Sequence, residues 1–133
     1  MIIVDTNIFI FGEIDSAPEH ELAIQKYKNA CSSDKIGTNV IILSELFHLS
    51  RNFSGLESAA SRIKNILSSP VIEFMEFSPE VILRATKLAR DFQMRINDAL
   101  IAQQAIETGA AILTDNVKDF KKIKSIKIIP LRG

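Results

Sequence analysis

The chain has 133 residues with 16 basic and 16 acidic side chains, a length that fits one domain (1–133) around one core. Hydrophobic residues make up 47% and charged residues 24%, which excludes an intrinsically disordered chain, and a formal net charge of zero does not advertise nucleic-acid or membrane binding. The single Cys31 excludes an internal disulfide and suits a reducing compartment.

In chain order, "MIIV" is a short, β-branched apolar run that ends at Asp5, the pattern of a strand buried on both faces. The segment "MIIVDTNIFIFGE" lacks a basic leader and is broken by Asp5, so it reads as neither a secretory signal nor a membrane span. With Cys31, this predicts a soluble cytoplasmic protein. Pro18 opens "PEHELAIQKYKNACSS", a helix with proline in its first turn and Leu22, Tyr27 and Ala30 on one face. "KIGT" is a second strand, followed by the long apolar run "NVIILSELFHLS". "LESAASRIKNILSS" is an amphipathic helix closed by Pro70, and "VIEFMEF" alternates as a strand does. "SPEVILRATKLARDF" starts on Ser78 as N-cap with Pro79 next. "NDALIAQQAIET" is a helix that Gly109 stops, and "AAILT" and "IKIIPL" are the last two strands. Strands alternating with helices predict an α/β domain with a mainly parallel sheet covered on both faces. Ligands of such sheets gather beyond the carboxyl ends of the strands.

Several acids stand near those ends. Asp5 follows the first strand; it serves as a helix cap or an Asx-turn, or it does chemistry, and Thr6 and Asn7 have the same capping capacity. Glu45 shares a narrow helical arc with Ile41, Ser44 and His48, which is either an exposed strip or a functional one. His48 has no partner at metal-ligand spacing. Asp98 lies in a helix that is apolar almost all round; with Asn97 as N-cap it falls in the first turn, where the helix dipole favours a carboxylate. Nothing about packing requires an acid there. In "AILTDNVKDF", Asn116 and Asp119 have the spacing of a capping box, whereas Asp115 has no evident structural partner. Acids that meet in one place raise one another's pKa values and favour a cation. An all-oxygen donor set without thiolates or paired histidines selects Mg²⁺ or Mn²⁺, whose commonest use is phosphate chemistry. Charge is uneven along the chain: from Asn116 to Gly133 there are six basic residues against Asp119 alone. That is a solvated surface or a phosphate-binding one.

Taken in order, "IVDTN", "SEL", "NDALIAQQAI" and "ILTDNVKDF" resemble the PIN domain, and more narrowly the VapC-type toxin ribonucleases of type II toxin–antitoxin pairs. The resemblance covers essentially the whole chain. It implies a three-layer α/β/α fold with a parallel sheet of about five strands in the order 3-2-1-4-5. It also implies an Mg²⁺- or Mn²⁺-dependent endoribonuclease that hydrolyses RNA phosphodiester bonds, a homodimer, and a cognate antitoxin partner. Asp5, Glu45 and Asp98 match the family's three acids, Thr6 and Asn7 the polar pair after the first, and Thr114 the threonine before the fourth. Asn116 stands where many relatives carry that fourth acid, a departure. Asp115 and Asp119 stand on either side, and Asp115, Asn116 or Asp119 would complete the metal site by holding outer-shell water or a second metal. By the same reading Asp5, Glu45, Asp98 and Asp115 are catalytic, and Arg51, Lys118, Lys121 and Lys122 contact RNA phosphates. Two other classes share parts of this pattern: a housekeeping PIN nuclease of RNA maturation, and a non-catalytic Mg²⁺-binding signalling or binding domain. A receiver-type domain wants an acidic pair after the first strand, and "IVDTN" supplies one acid.

Overall fold

The computed structural model describes residues 1–133. In chain order the elements are β1 (Ile2–Val4), α1 (Thr6–Glu13), α2 (His20–Ser33), β2 (Ile36–Thr38), α3 (Val40–Ser54) and α4 (Leu56–Ser68). They continue with β3 (Ile72–Phe74), α5 (Pro79–Phe92), α6 (Ile96–Thr108), β4 (Ala111–Thr114), α7 (Val117–Phe120) and β5 (Ile128–Pro130). The five strands form one all-parallel sheet in the order β3-β2-β1-β4-β5, as the family resemblance implies.

Side chains alternate across a strand, yet every residue of β1, β2 and β4 is buried, so helices cover both faces of the sheet. The exposed surface falls on the edge strand β3. Ile3, Val4, Ile36, Ile112 and Leu113 form the dry centre of the core, with Ile42 and Leu46 of α3 and Ile101 of α6 packed within it. The parallel register pairs Val4 with Leu113 and Ile3 with Gly37, so β1, β2 and β4 end at one level. Asp5, Asn39 and Asp115 therefore leave the sheet side by side at its carboxyl edge.

Three boundaries differ from those read in the sequence. Helix α2 begins at His20, and Pro18 lies in the turn before it. His20 Nδ1 bonds the Phe11 carbonyl at 2.9 Å and Glu19 is held by Arg132, so tertiary contacts fix the start of the helix in place of a proline-led first turn. Helix α6 begins at Ile96 on Arg95 as N-cap, one residue before Asn97; Asp98 stays in the first turn. "VIEFMEF" forms a strand only over Ile72–Phe74, with one ladder bond beyond each end, from Ile36 N to the Val71 carbonyl and from Met75 N to the Thr38 carbonyl. Gly109 takes a left-handed conformation (φ 71°) and ends α6 where expected.

Candidate active site

Asp5 ends β1 and caps α1 in one step. Its Oδ1 accepts the Thr6 amide at 2.9 Å. Its Oδ2 accepts the Thr114 hydroxyl at 2.7 Å and the Asn7 side-chain amide at 3.4 Å. The capping and functional readings of Asp5 are thus compatible, since both oxygens are bonded while the carboxyl still lines a cleft. Asp5 is 6% exposed. Burial pushes its pKa above the usual carboxylate range; the bonds from Thr114, Thr6 and Asn7 oppose that rise, and Glu45 adds to it.

Asp98 enters the same cleft from the first turn of α6 and is 8% exposed. Its pKa is pushed up to about 6, first by burial and then by Asp5, with Glu45 and Asp119 contributing and Arg95 pulling it down. Glu45 enters from α3. That helix is capped by Asn39, whose Oδ1 accepts the Ile42 amide at 3.0 Å. The buried Asn39 also donates to Gln104 of α6 at 2.7 Å, tying the helix that carries Glu45 to the helix that carries Asp98. The cleft, about 210 Å³, is lined by Asp5, Thr6, Asn7, Glu45, Arg95, Asp98 and Asn116 with an apolar rim of Ile10, Phe11 and Leu49.

The four polar positions of the β4–α7 turn separate in space. Thr114 is fully buried and bonds Asp5, while its oxygen accepts the Asn116 amide at 2.9 Å. Asn116 reaches the cleft, and its side chain does not cap α7, so the expected capping box is absent. The local spacing is right, but the Asn116 amide is already held by Thr114. Asp119 lies near enough to raise the pKa of Asp98 and ion-pairs with Lys122 at 3.7 Å. Asp115 does have a structural partner, contrary to the sequence reading: Arg132 grips it with Nε to Oδ1 at 2.8 Å and Nη2 to Oδ2 at 3.0 Å. It does not line the cleft.

Sequence reasoning missed Arg95, whose guanidinium stands 3.6 Å from Glu45 in the cleft. A cation at a helix N-terminus opposes the dipole, and that mismatch beside Asp98 was the available signal. Arg51, Lys118, Lys121 and Lys122 are all exposed, on α3 and on and after α7. His48 is exposed and takes no part in the cleft.

No three acidic, histidine or cysteine side chains converge on one point. The donor set nonetheless fits a hard divalent cation. Two buried carboxylates repel each other across a cleft with no sulfur or nitrogen ligand, and Mg²⁺ commonly takes one or two carboxylates while keeping several waters. Asp5 and Asp98 would hold such an ion. No helix is long and apolar enough to cross a membrane.

Comparison with known proteins identifies the family and the fold. Residues 2–126 match the model of the PIN domain. Ribonuclease VapC2 of Rickettsia felis is 27% identical over 131 residues, covering 92% of each chain. The solved structure of VapBC2 from the same organism, bound to a DNA fragment from their promoter, superposes with a TM-score of 0.76 at 24% identity over 98% of both chains. Mycobacterium tuberculosis VapC20, a toxin that cleaves the sarcin–ricin loop, superposes with a TM-score of 0.77 at 17% identity, covering 92% of this chain and 94% of that one. These two likenesses establish a shared fold.

Proposed function

The chain belongs to the PIN domain family, and from that premise we propose that it is a metal-dependent endoribonuclease, the toxin of a VapBC-type toxin–antitoxin pair. The observation that carries the reading is the pair Asp5 and Asp98. Two buried acids from different elements share one cleft, and Asp98 titrates near 6 with Asp5 as a cause. Buried like charges cost stability, so their retention favours a role in binding a cation. The named ribonuclease relative and the fold shared with toxin–antitoxin proteins support the substrate class and the biological role.

Asp5 and Asp98 would hold Mg²⁺ or Mn²⁺, which when bound would acidify a water and offset charge on the phosphate. The protein's own contribution is positional. Thr114 and the Thr6 amide fix both oxygens of Asp5, so its carboxylate does not reorganise during the reaction. Glu45, half-buried on the opposite wall, orients the attacking water and takes its proton. As the water oxygen adds to phosphorus the P–O3′ bond breaks and the departing 3′-oxygen takes a proton from solvent, leaving 5′-phosphate and 3′-hydroxyl ends. Asn116 and Asp119 hold outer waters in the place of a fourth ligand. Arg51, Lys118, Lys121 and Lys122 contact RNA phosphates, which gives affinity and register with little sequence information. Exposed Leu49, Phe53 and Leu56 on α3 and α4 offer a face for homodimerisation.

The direct test is cleavage of a mixed pool of folded and single-stranded RNA, followed by end-group analysis. Wild type with Mg²⁺ should yield 5′-phosphate ends, and Asp5→Asn, Asp98→Asn or EDTA should abolish cleavage. Activity that survives both substitutions would reject the reading. The toxin role is tested separately, by growth arrest on expression and its relief by a neighbouring reading frame.

A further inference from the structure

Asp115 sits at the end of β4, one residue from Asn116 in the cleft, yet its carboxylate faces Arg132 and not the other acids. Arg132 spans two acids: both Asp115 oxygens at 2.8 and 3.0 Å, and Glu19 Oε2 at 2.7 Å. Asp115, then Glu19, holds the guanidinium charged more firmly than usual. The neighbouring Leu131 is fully buried and its amide bonds the Thr114 carbonyl at 3.0 Å, so the arginine is mounted on a fixed backbone.

The other side of this turn leads to Asp5. The Asp115 amide donates to Asn7 Oδ1 at 3.2 Å, and the Asn7 side-chain amide donates on to Asp5 Oδ2 at 3.4 Å. The Asn116 amide donates to Thr114 Oγ1 at 2.9 Å, and that hydroxyl donates to the same Asp5 oxygen at 2.7 Å. Two consecutive amides of the turn thus reach Oδ2 of Asp5 through one side chain each. A bidentate arginine–carboxylate pair fixes orientation as well as distance, which a single-point contact does not.

We infer that Glu19, Arg132 and Asp115 form a latch that positions the β4–α7 turn and, through Asn7 and Thr114, the Asp5 carboxylate; Arg132 and Asp115 are positioning residues, not cation ligands. The inference rests on the proposed cation site at Asp5 and Asp98. It accounts for an acid beside the position where the family motif has one, without giving that acid a place in the cleft.

The test measures Mn²⁺ affinity by calorimetry, Mg²⁺ dependence of RNA cleavage, and amide hydrogen exchange in the full chain. Arg132→Gln and Asp115→Asn should each weaken Mn²⁺ binding about tenfold, the low end of what outer-shell partners contribute. The double variant should be no weaker than either single one, and Arg132→Lys should restore only part of the loss. Cleavage by both single variants should recover at saturating Mg²⁺, and circular dichroism without metal should show both as fully folded as wild type, which separates weaker binding from a loss of folded protein that the cation would also reverse. Exchange at the Asp115 and Asn116 amides should quicken. If Asp115→Asn abolishes Mn²⁺ binding as fully as Asp98→Asn while Arg132→Gln leaves it unchanged, Asp115 is a ligand and the latch is wrong. Unchanged affinity and unchanged exchange in both variants would also overturn it. Should wild type bind no Mn²⁺ at all, the cation-site reading fails, and the exchange data alone then judge the latch.

Discussion

The Thr114 hydroxyl donates to Oδ2 of Asp5 at 2.7 Å, joining the end of β4 to the end of β1 in the floor of the cleft. A buried carboxylate that loses a donor bears its full desolvation cost, and the Asn116 amide would lose its acceptor in the same change. Thr114→Val should therefore destabilise the fold by about 1–3 kcal/mol and raise the Asp5 pKa further. Thr114→Ser, which keeps the oxygen, should stay close to wild type. Urea unfolding of the three proteins checks this.

Asp98→Asn should trade function for stability. In the metal-free protein above pH 7 the wild-type carboxylate is ionised although its folded pKa is about 6, so its charge opposes folding. Removing it should raise stability by on the order of 1–3 kcal/mol while cleavage is lost. A lower melting temperature for Asp98→Asn without metal would contradict the electrostatic account of the cleft.

The pH dependence has a definite sign. Asp98 is raised in the folded state, so its contribution to stability is full below the ordinary aspartate pKa and is lost as pH rises through about 6. Metal-free protein should lose stability over that window, and Mg²⁺ should reverse the loss at neutral pH. Cleavage should fall as pH drops below about 6, where protons compete with the cation. Arg95 holds the Asp98 pKa down, so Arg95→Ala should move this acid limb to higher pH. Thermal melts and rate profiles across pH 4–8 with and without Mg²⁺, on the order of half-unit steps, resolve both limbs.

Salt should separate the surface cations from the cleft. Lys118→Ala and Lys121→Ala should each weaken RNA binding across sequences and reduce the log–log salt slope by about one. Lys122 already pairs with Asp119 at 3.7 Å, so its replacement should change the slope less. Binding isotherms at several salt concentrations, using RNA of two unrelated sequences, provide the comparison.

Backbone architecture was legible in the sequence because its signals are local or periodic. "MIIV" and "AAILT" announced buried parallel strands, and Ser78–Pro79 and Gly109 marked helix ends that the structure keeps. Asp5 and Asp98 could be placed near one edge because each adjoins an element end. What failed were predictions of which side chain meets which. Arg132 lies 17 positions from Asp115 and 113 from Glu19, and only strand register brings the three together. The capping box in "NVKD" satisfied a local rule, but Thr114 had taken the amide it needed. Arg95 escaped notice because its partner, Glu45, belongs to a different helix.

The amide bridge between Asn39 and Gln104 has a consequence for genetics. Both side chains are buried and neither lines the cleft, yet their 2.7 Å bond ties α3, which carries Glu45, to α6, which carries Asp98. On the proposed toxin reading, a selection for colonies that survive expression would recover changes at Asn39 and Gln104 beside those at the acids themselves. Such survivors would be indistinguishable from catalytic knockouts by growth alone, although every acid in them would be intact.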